Sequence, residues 1–459
     1  MKRNLRRESK MDRPAMRNLT LSPYISPEDM VKEDAAGKEP NKFLLEDPEG
    51  YAPPLVLPVP LAILISMMDG KRTLKEIMDE FTEQTHEPMS LSDLKEMVAY
   101  LDKLHYLDSP SFANFLKNEM NAYARERYRP AAMAGGAYPK DGKELRKMLA
   151  RILEIPRKIT QAEEPEKEFD SIFPESICGA VSTHTELEGG GASYGWTFSA
   201  IANHSAADKF ILLGTSHNPM REKFAFSSKS FDTPLGVLPV DFEFQKRAIK
   251  RFAEKYEALE NIESRESVDL LGDDFVHRDE HSLEFQAIFL KYLAETQKRD
   301  IRIVPILVNT FVPFLAARDV EYPDENEVIR LFLETLSELI QEDESAGKGC
   351  FFVMASADLA HVGPMYGTPA PVDGATQDGI REKDTEILES VQKTASRDFW
   401  QKILKNFNEN KISGAAPIYC AIRLLEHLGR TGGGKLLSYE QAVDEETKSC
   451  VSFASVVFK

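Results

Sequence analysis

The sequence predicts an α/β protein, a mixed sheet flanked by helices, preceded by a small α+β module. Three observations carry that class. Ile177-Cys178-Gly179-Ala180-Val181 and Phe210-Ile211-Leu212-Leu213-Gly214 are apolar throughout, as strands buried on both faces are. Helical segments alternate with such runs from about residue 129 onward, which argues for a sheet with helices on both faces. At 459 residues the chain is too long for one typical domain.

Composition narrows the function classes. Hydrophobic residues make up 42%, enough for an ordinary core, and the net charge of −18 disfavours non-specific nucleic-acid binding. The basic start, Met1-Lys2-Arg3-Asn4-Leu5-Arg6-Arg7, is followed by no apolar run, and Leu55–Met68 is interrupted by Pro58 and Pro60. Cys178, Cys350, Cys420 and Cys450 are scattered without a CxxC pair, so buried thiols are expected instead of disulfides or a zinc knot. These features lead us to expect a soluble cytoplasmic protein with no membrane or nucleic-acid partner.

Taken in order, residues 1–20 read as a charged, disordered tail. Residues 21–111 read as a small module. Phe43–Leu45 suggests a strand, Leu61–Met68 a helix ending at Asp69-Gly70, and Thr73 caps Leu74–Gln84 with Glu76 three residues on. Ser90 caps a further helix over Leu91–Leu104, and Tyr106-Leu107-Asp108 starts a possible wing. This order resembles a winged helix. Met68-Asp69-Gly70-Lys71-Arg72-Thr73-Leu74-Lys75-Glu76-Ile77 also resembles the PqqD-like peptide-binding modules found beside radical-SAM enzymes. A bland alternative is a helical accessory domain without a ligand. A polar helical linker over 112–128 then leads to an α/β domain over 129–459. There, strands are expected near Ile301–Leu307, Cys350–Ala355, Lys435–Val443 and Val451–Phe458. Helices are expected near Tyr194–His204, Asp241–Tyr256, Ser282–Thr296, Glu325–Gln341, Asp378–Lys393, Asp398–Phe407 and Ala416–Leu428. Glu163–Glu168 reads as an acidic loop.

Chemistry gathers at strand ends. The first two apolar runs give way to Ser182-Thr183-His184 and Thr215-Ser216-His217, and open α/β sheets bind ligands beyond the carboxyl ends of their strands. One such histidine is usually a satisfied surface residue; two at successive strand ends suggest a metal or a proton-transfer pair. Ser356-Ala357-Asp358-Leu359-Ala360-His361 puts an Asp and a His on the same rim, suited to a carboxylate that orients a general acid or base. Asp279-Glu280-His281-Ser282-Leu283-Glu284-Phe285 opens a helix with Glu280 and Glu284 on one face, but no second His follows at the zincin spacing. Gly429–Leu436 fits a phosphate-loop pattern only in part: it follows a helix and has Leu436 where a hydroxyl belongs.

Together these stretches resemble the Memo family, whose bacterial members are called AmmeMemoRadiSam system protein B. The likeness runs through Arg129-Pro130-Ala131, Ala137-Tyr138-Pro139, His184-Thr185-Glu186-Leu187, Leu213–His217, Phe231–Gly236, Glu280–Gln286, Asp358–Gly363 and Ala416-Pro417-Ile418-Tyr419. The resemblance implies a fold similar to the LigB-type extradiol dioxygenases, metal ligation by His184 and His217, and supporting or acid–base roles for Asp358 and His361. The family's third ligand is a cysteine; Ser413 stands there in this chain, which removes a thiolate and the soft-metal preference that goes with it. Glu186 stands where many relatives have Asp. The third ligand is then expected from Asp358, Glu284 or water, and the metal is expected to be iron or copper. Two functions follow as expectations. One is a metal-dependent, oxidoreductase-like protein linked to a radical-SAM system. The other is a non-catalytic protein that binds a peptide or a radical-SAM partner through its cleft and N-terminal module.

Overall fold

The computed structural model describes residues 12–24, 42–164, 168–259, 267–311, 321–368, 370–405 and 408–459. The chain divides into two compact units, residues 1–125 and 126–459.

In the first unit, strands β1 (Thr20–Tyr24), β2 (Lys42–Glu46) and β3 (Leu55–Pro58) form an antiparallel sheet in that order. Helices Val59–Ser66, Leu74–Thr85, Leu91–Lys103 and Pro110–Arg125 follow. Thr73 and Glu76 form the reciprocal capping box, and the Ser90 hydroxyl accepts the Asp93 N–H. The stretch expected as a wing makes only an isolated bridge, Leu107 to Met16, because Arg17 N–H bonds the Tyr106 carbonyl and Asp108 N–H that of Ala15. Among the described residues of this unit, the three strands precede the helices, unlike a wing that follows them. Of the expected tail, residues 1–11 lie outside the described residues. Within the same stretch, Arg17 is tied to Asp47 at 2.8 Å with its side chain only 5% exposed, which is not the behaviour of a free tail.

The second unit is built on an eight-stranded mixed sheet. It comprises β4 (Gly179–Ser182), β5 (Lys209–Thr215), β6 (Phe224–Phe226), β7 (Arg302–Val308), β8 (Phe351–Ser356), β9 (His361–Val362), β10 (Gly434–Val443) and β11 (Cys450–Phe458). The order is β10-β11-β4-β8-β5-β7-β6, with β9 beside β11. The inner four strands β4, β8, β5 and β7 are parallel; β6 and β11 flank them antiparallel. Side chains alternate along β5 and β8. Ile211, Leu213, Phe351, Val353 and Ala355 enter one core, while Phe210, Leu212, Phe352 and Met354 enter the other. Burial on both faces is why these strands are apolar at every position. Expected strand and helix positions agree within a few residues, and the short strands β6 and β9 are additions. Part of the expected acidic loop, 165–167, lies outside the described residues; Glu163 ends helix Gly142–Glu163.

Two local differences have physical causes. The helix after β4 begins at Leu187 and not near Tyr194, running straight through Gly189-Gly190-Gly191. Two glycines of this helix serve close packing: a Cβ on Gly190 would lie 2.5 Å from Thr185 Cγ2, and one on Gly195 2.5 Å from the Ile152 carbonyl and 2.9 Å from Pro156 Cδ. Gly195→Ala is therefore expected to cost about 1–3 kcal/mol through overpacking against helix Gly142–Glu163; an unchanged thermal midpoint would refute this. The four cysteines are free, but Cys350 is exposed and Cys178 only half-buried, because both precede their strands instead of lying within them.

Candidate metal centre

The site lies beyond the carboxyl ends of β4, β5 and β8. Because β8 sits between β4 and β5, Asp358 is delivered between the two strand-end histidines. Thr183 and His184 leave β4, His217 follows β5, and Asp358 follows β8. The Asp358 carboxylate accepts from the Thr183 hydroxyl and, at 3.1 Å, from the His184 backbone N–H. Its second oxygen is 3.6 Å from His184 Nε2.

The fourth contributor is helix His281–Thr296, whose N-cap is Glu280. The Glu280 carboxylate accepts from the N–H of Ser282 at 2.9 Å, from the backbone N–H of His217 at 2.8 Å and from His217 Nδ1 at 2.9 Å. It also lies 3.4 Å from His281 Nδ1. Gln286, fully buried on this helix, donates to the Thr183 carbonyl at 2.7 Å and the Ser356 hydroxyl at 2.8 Å, fastening the helix to two strand ends.

Three imidazoles thereby converge. Ring centroids are 4.9 Å apart for His184 and His217, 5.5 Å for His184 and His281, and 4.4 Å for the stacked His217 and His281. One potential ligand nitrogen from each falls within 4.8 Å of the others. His184 is buried, His281 half-buried and His217 the most open. His184 Nδ1 faces the Ser356 carbonyl at 3.1 Å, so it carries the proton and leaves a lone pair on Nε2. That buried Nε2 has no hydrogen-bond partner. A histidine whose far nitrogen is tied to a carbonyl or carboxylate is the usual state of a metal-binding imidazole, and His184 and His217 both have it. The residues present fit a metal ion.

Electrostatics divide the three rings. Burial is the largest influence on each and opposes the charged form. It holds His184 below its ordinary value against the pull of Asp358. It takes His281 down to about 3, with the His217 charge acting the same way. For His217, the hydrogen bond and charge of Glu280 outweigh burial and the net direction is upward. Glu280, despite burial, is held well below the usual carboxylate range by the His217 hydrogen bond and charge.

His361 stands on β9, its Nδ1 3.1 Å from the Leu359 carbonyl and its ring edge-on to Tyr366 at 4.9 Å. Burial lowers its pKa, and Asp358 is the main opposing charge. Ser413 reaches the same rim: the next residue, Gly414, donates its N–H to the Asp358 carbonyl at 3.1 Å, and Ser413 Oγ is buried with no hydrogen-bond partner. Glu186 is exposed at the start of its helix and makes no side-chain cap bond. Glu284 does not serve as the third ligand expected above. Its carboxylate is taken up by Arg129, by the N–H groups of Ala132 and Met133, and by the Tyr138 hydroxyl. His281 offers the third nitrogen that could hold a metal together with His184 and His217. Its approach to His217 comes from the docking of its helix start on the end of β5, where the Ser282 hydroxyl donates to the Thr215 carbonyl at 2.7 Å.

Fold and site together define a class: α/β proteins that gather imidazoles beyond the carboxyl ends of a parallel sheet. Within it, the chain belongs to the Memo-like protein family, whose family model matches residues 129–457. It is 26% identical over 418 residues to a MEMO1 family protein of Aquifex aeolicus, covering 91% of this chain and 96% of that one. A MEMO1 family protein of Thermus thermophilus is 23% identical over 393 residues, 85% of this chain and all of its own length. One from Thermococcus onnurineus is 27% identical over 289 residues, 62% of this chain and 87% of its own. Among the described residues, no helix is long and apolar enough to cross a membrane.

Proposed function

We propose that this Memo-family chain holds one metal ion with His184, His217 and His281 and uses it for oxidoreductase-like chemistry. The carrying observation is that one nitrogen from each of His184, His217 and His281 lies within 4.8 Å of the others, while the buried Nε2 of His184 has no hydrogen-bond partner. Iron or copper would suit these imidazoles. When bound, such an ion supplies redox and Lewis-acid chemistry. The chain's own residues do the rest. Glu280 aims His217, the Ser356 carbonyl fixes the tautomer of His184, and Asp358 and His361 hold or move a proton at the rim. Kinship with LigB-type dioxygenases belongs to this proposal, as does a peptide or radical-SAM partner for the N-terminal unit in the manner of an AmmeMemoRadiSam system.

A second reading, a non-catalytic binding protein using the same cleft, is favoured by Ser413, whose neutral hydroxyl supplies no thiolate to the site. Metal analysis of the purified full chain separates the two. Stoichiometric iron or copper, lost in His184→Ala, is expected under the first. A wild-type chain that stays metal-free after reconstitution would sink it.

A further inference from the structure

We propose that Arg129 is a positioning residue for the histidine cluster, acting through Glu280; this rests on the metal-binding reading above. Arg129 is completely buried, although it lies near the start of the second unit and 151 residues before Glu280 in sequence. Its guanidinium donates to three carbonyls: His277 at 2.8 Å, Pro130 at 2.7 Å and Glu280 at 2.7 Å. It also forms an ion pair with Glu284 and a cation–π contact of 5.1 Å to the Phe231 ring.

The geometry splits Glu280 into two halves. Arg129 fixes its main chain, and its carboxylate fixes both nitrogens of His217 that matter for aim, backbone and Nδ1, while facing His281 Nδ1. Two of the three imidazoles therefore take their direction from one residue that Arg129 holds. A planar fork that reaches several carbonyls at once is what arginine offers and lysine does not. Stability alone does not account for the pair. Two buried charges cost desolvation, and an apolar pair of similar volume is often as stable or more so.

The test is Co²⁺ binding to the full chain by chelator competition, with the visible spectrum of the bound ion recorded. Arg129→Lys is expected to stay folded by circular dichroism, to bind Co²⁺ about 10–100-fold more weakly and to change the spectrum, as loss of an outer support does. Glu284→Gln keeps the three carbonyl contacts and is expected to stay within a few-fold of wild type, which a purely charge-balancing role of Arg129 would not allow. If Arg129→Lys fails to fold, the double variant Arg129→Met/Glu284→Met removes the pair without leaving a lone buried charge and is expected to show the same weakening. A folded variant with wild-type affinity and spectrum overturns the inference. Should the wild-type chain bind no Co²⁺ and also stay free of iron and copper after reconstitution, the metal reading falls, and imidazole NMR of the metal-free chain decides the role of Arg129. A His217 Nδ1 proton hydrogen-bonded in wild type and lost in Arg129→Lys supports it; an unchanged signal overturns it.

Discussion

Metal affinity of the full chain is expected to fall about tenfold for each pH unit below the titration point of His217, and to level off above it. Each ligating imidazole must be neutral, so the slope counts the protons that metal has to displace. His184 is kept down chiefly by burial, and His281 is taken to about 3; both are already neutral near pH 7. His217 is pushed the other way by Glu280, above its ordinary 6.5. One proton, from one ring, is therefore at stake across the neutral range. Glu280→Gln separates two roles of the same carboxylate. Without the negative charge, burial prevails at His217, its titration point drops, and the neutral-range slope disappears. The aim of His217 also loosens, so affinity at pH 8 falls about 10–100-fold. Metal titrations of both proteins from pH 5 to 8 check this. A slope of two or more in wild type, or a variant with an unmoved break, would show that Glu280 does not govern the site's proton.

Legibility in the sequence followed the range of the interactions. The buried strands of the second unit showed as apolar runs because both of their faces are covered, and their polar ends marked His184, His217 and Asp358. The Thr73 and Ser90 caps were readable because a cap is satisfied within three residues. The helix start at Leu187 is hidden because three successive glycines look like a turn, whereas here they lie within a helix held close to helix Gly142–Glu163 at Gly195. The role of Arg129 is not legible locally, since the His277, Glu280 and Glu284 groups it binds are 148 to 155 residues away. Likewise His281 joins His184 and His217 only because its helix start is fastened to the end of β5, the Ser282 hydroxyl donating to the Thr215 carbonyl at 2.7 Å. Strand-end chemistry on one rim is legible; the arrival of His281 and Arg129 from distant elements is not.

The same logic of burial gives a second large effect, away from the imidazoles. Asp384 is wholly buried on helix Gly374–Gln392, and one of its oxygens accepts from the Tyr439 hydroxyl at 2.9 Å and the Ser452 hydroxyl at 2.5 Å. Its other oxygen is buried without a hydrogen-bond partner. Burial therefore raises its pKa to about 6, against the pull of those hydroxyls and of the Arg381 and Lys383 charges. A carboxyl that binds its proton more tightly when folded favours the native state at low pH. This advantage is full below the unfolded value near 3.8, is lost as pH rises to about 6, and is absent above. A rise of that size, about a hundredfold in proton affinity, corresponds to about 3 kcal/mol. Asp384→Asn keeps an acceptor for both hydroxyls but has no charge to bury, so its urea stability is expected to be nearly level from pH 4 to 7, where this group makes wild type decline. Above pH 6 the variant should then be the more stable protein by up to that amount. Because the Ser452 hydroxyl also accepts the Ala360 N–H at 2.9 Å, the substitution must leave that bond intact to be read this way. Equal pH slopes for the two proteins would mean that Asp384 is ionised in the fold at no cost, and that its unpartnered oxygen finds a donor.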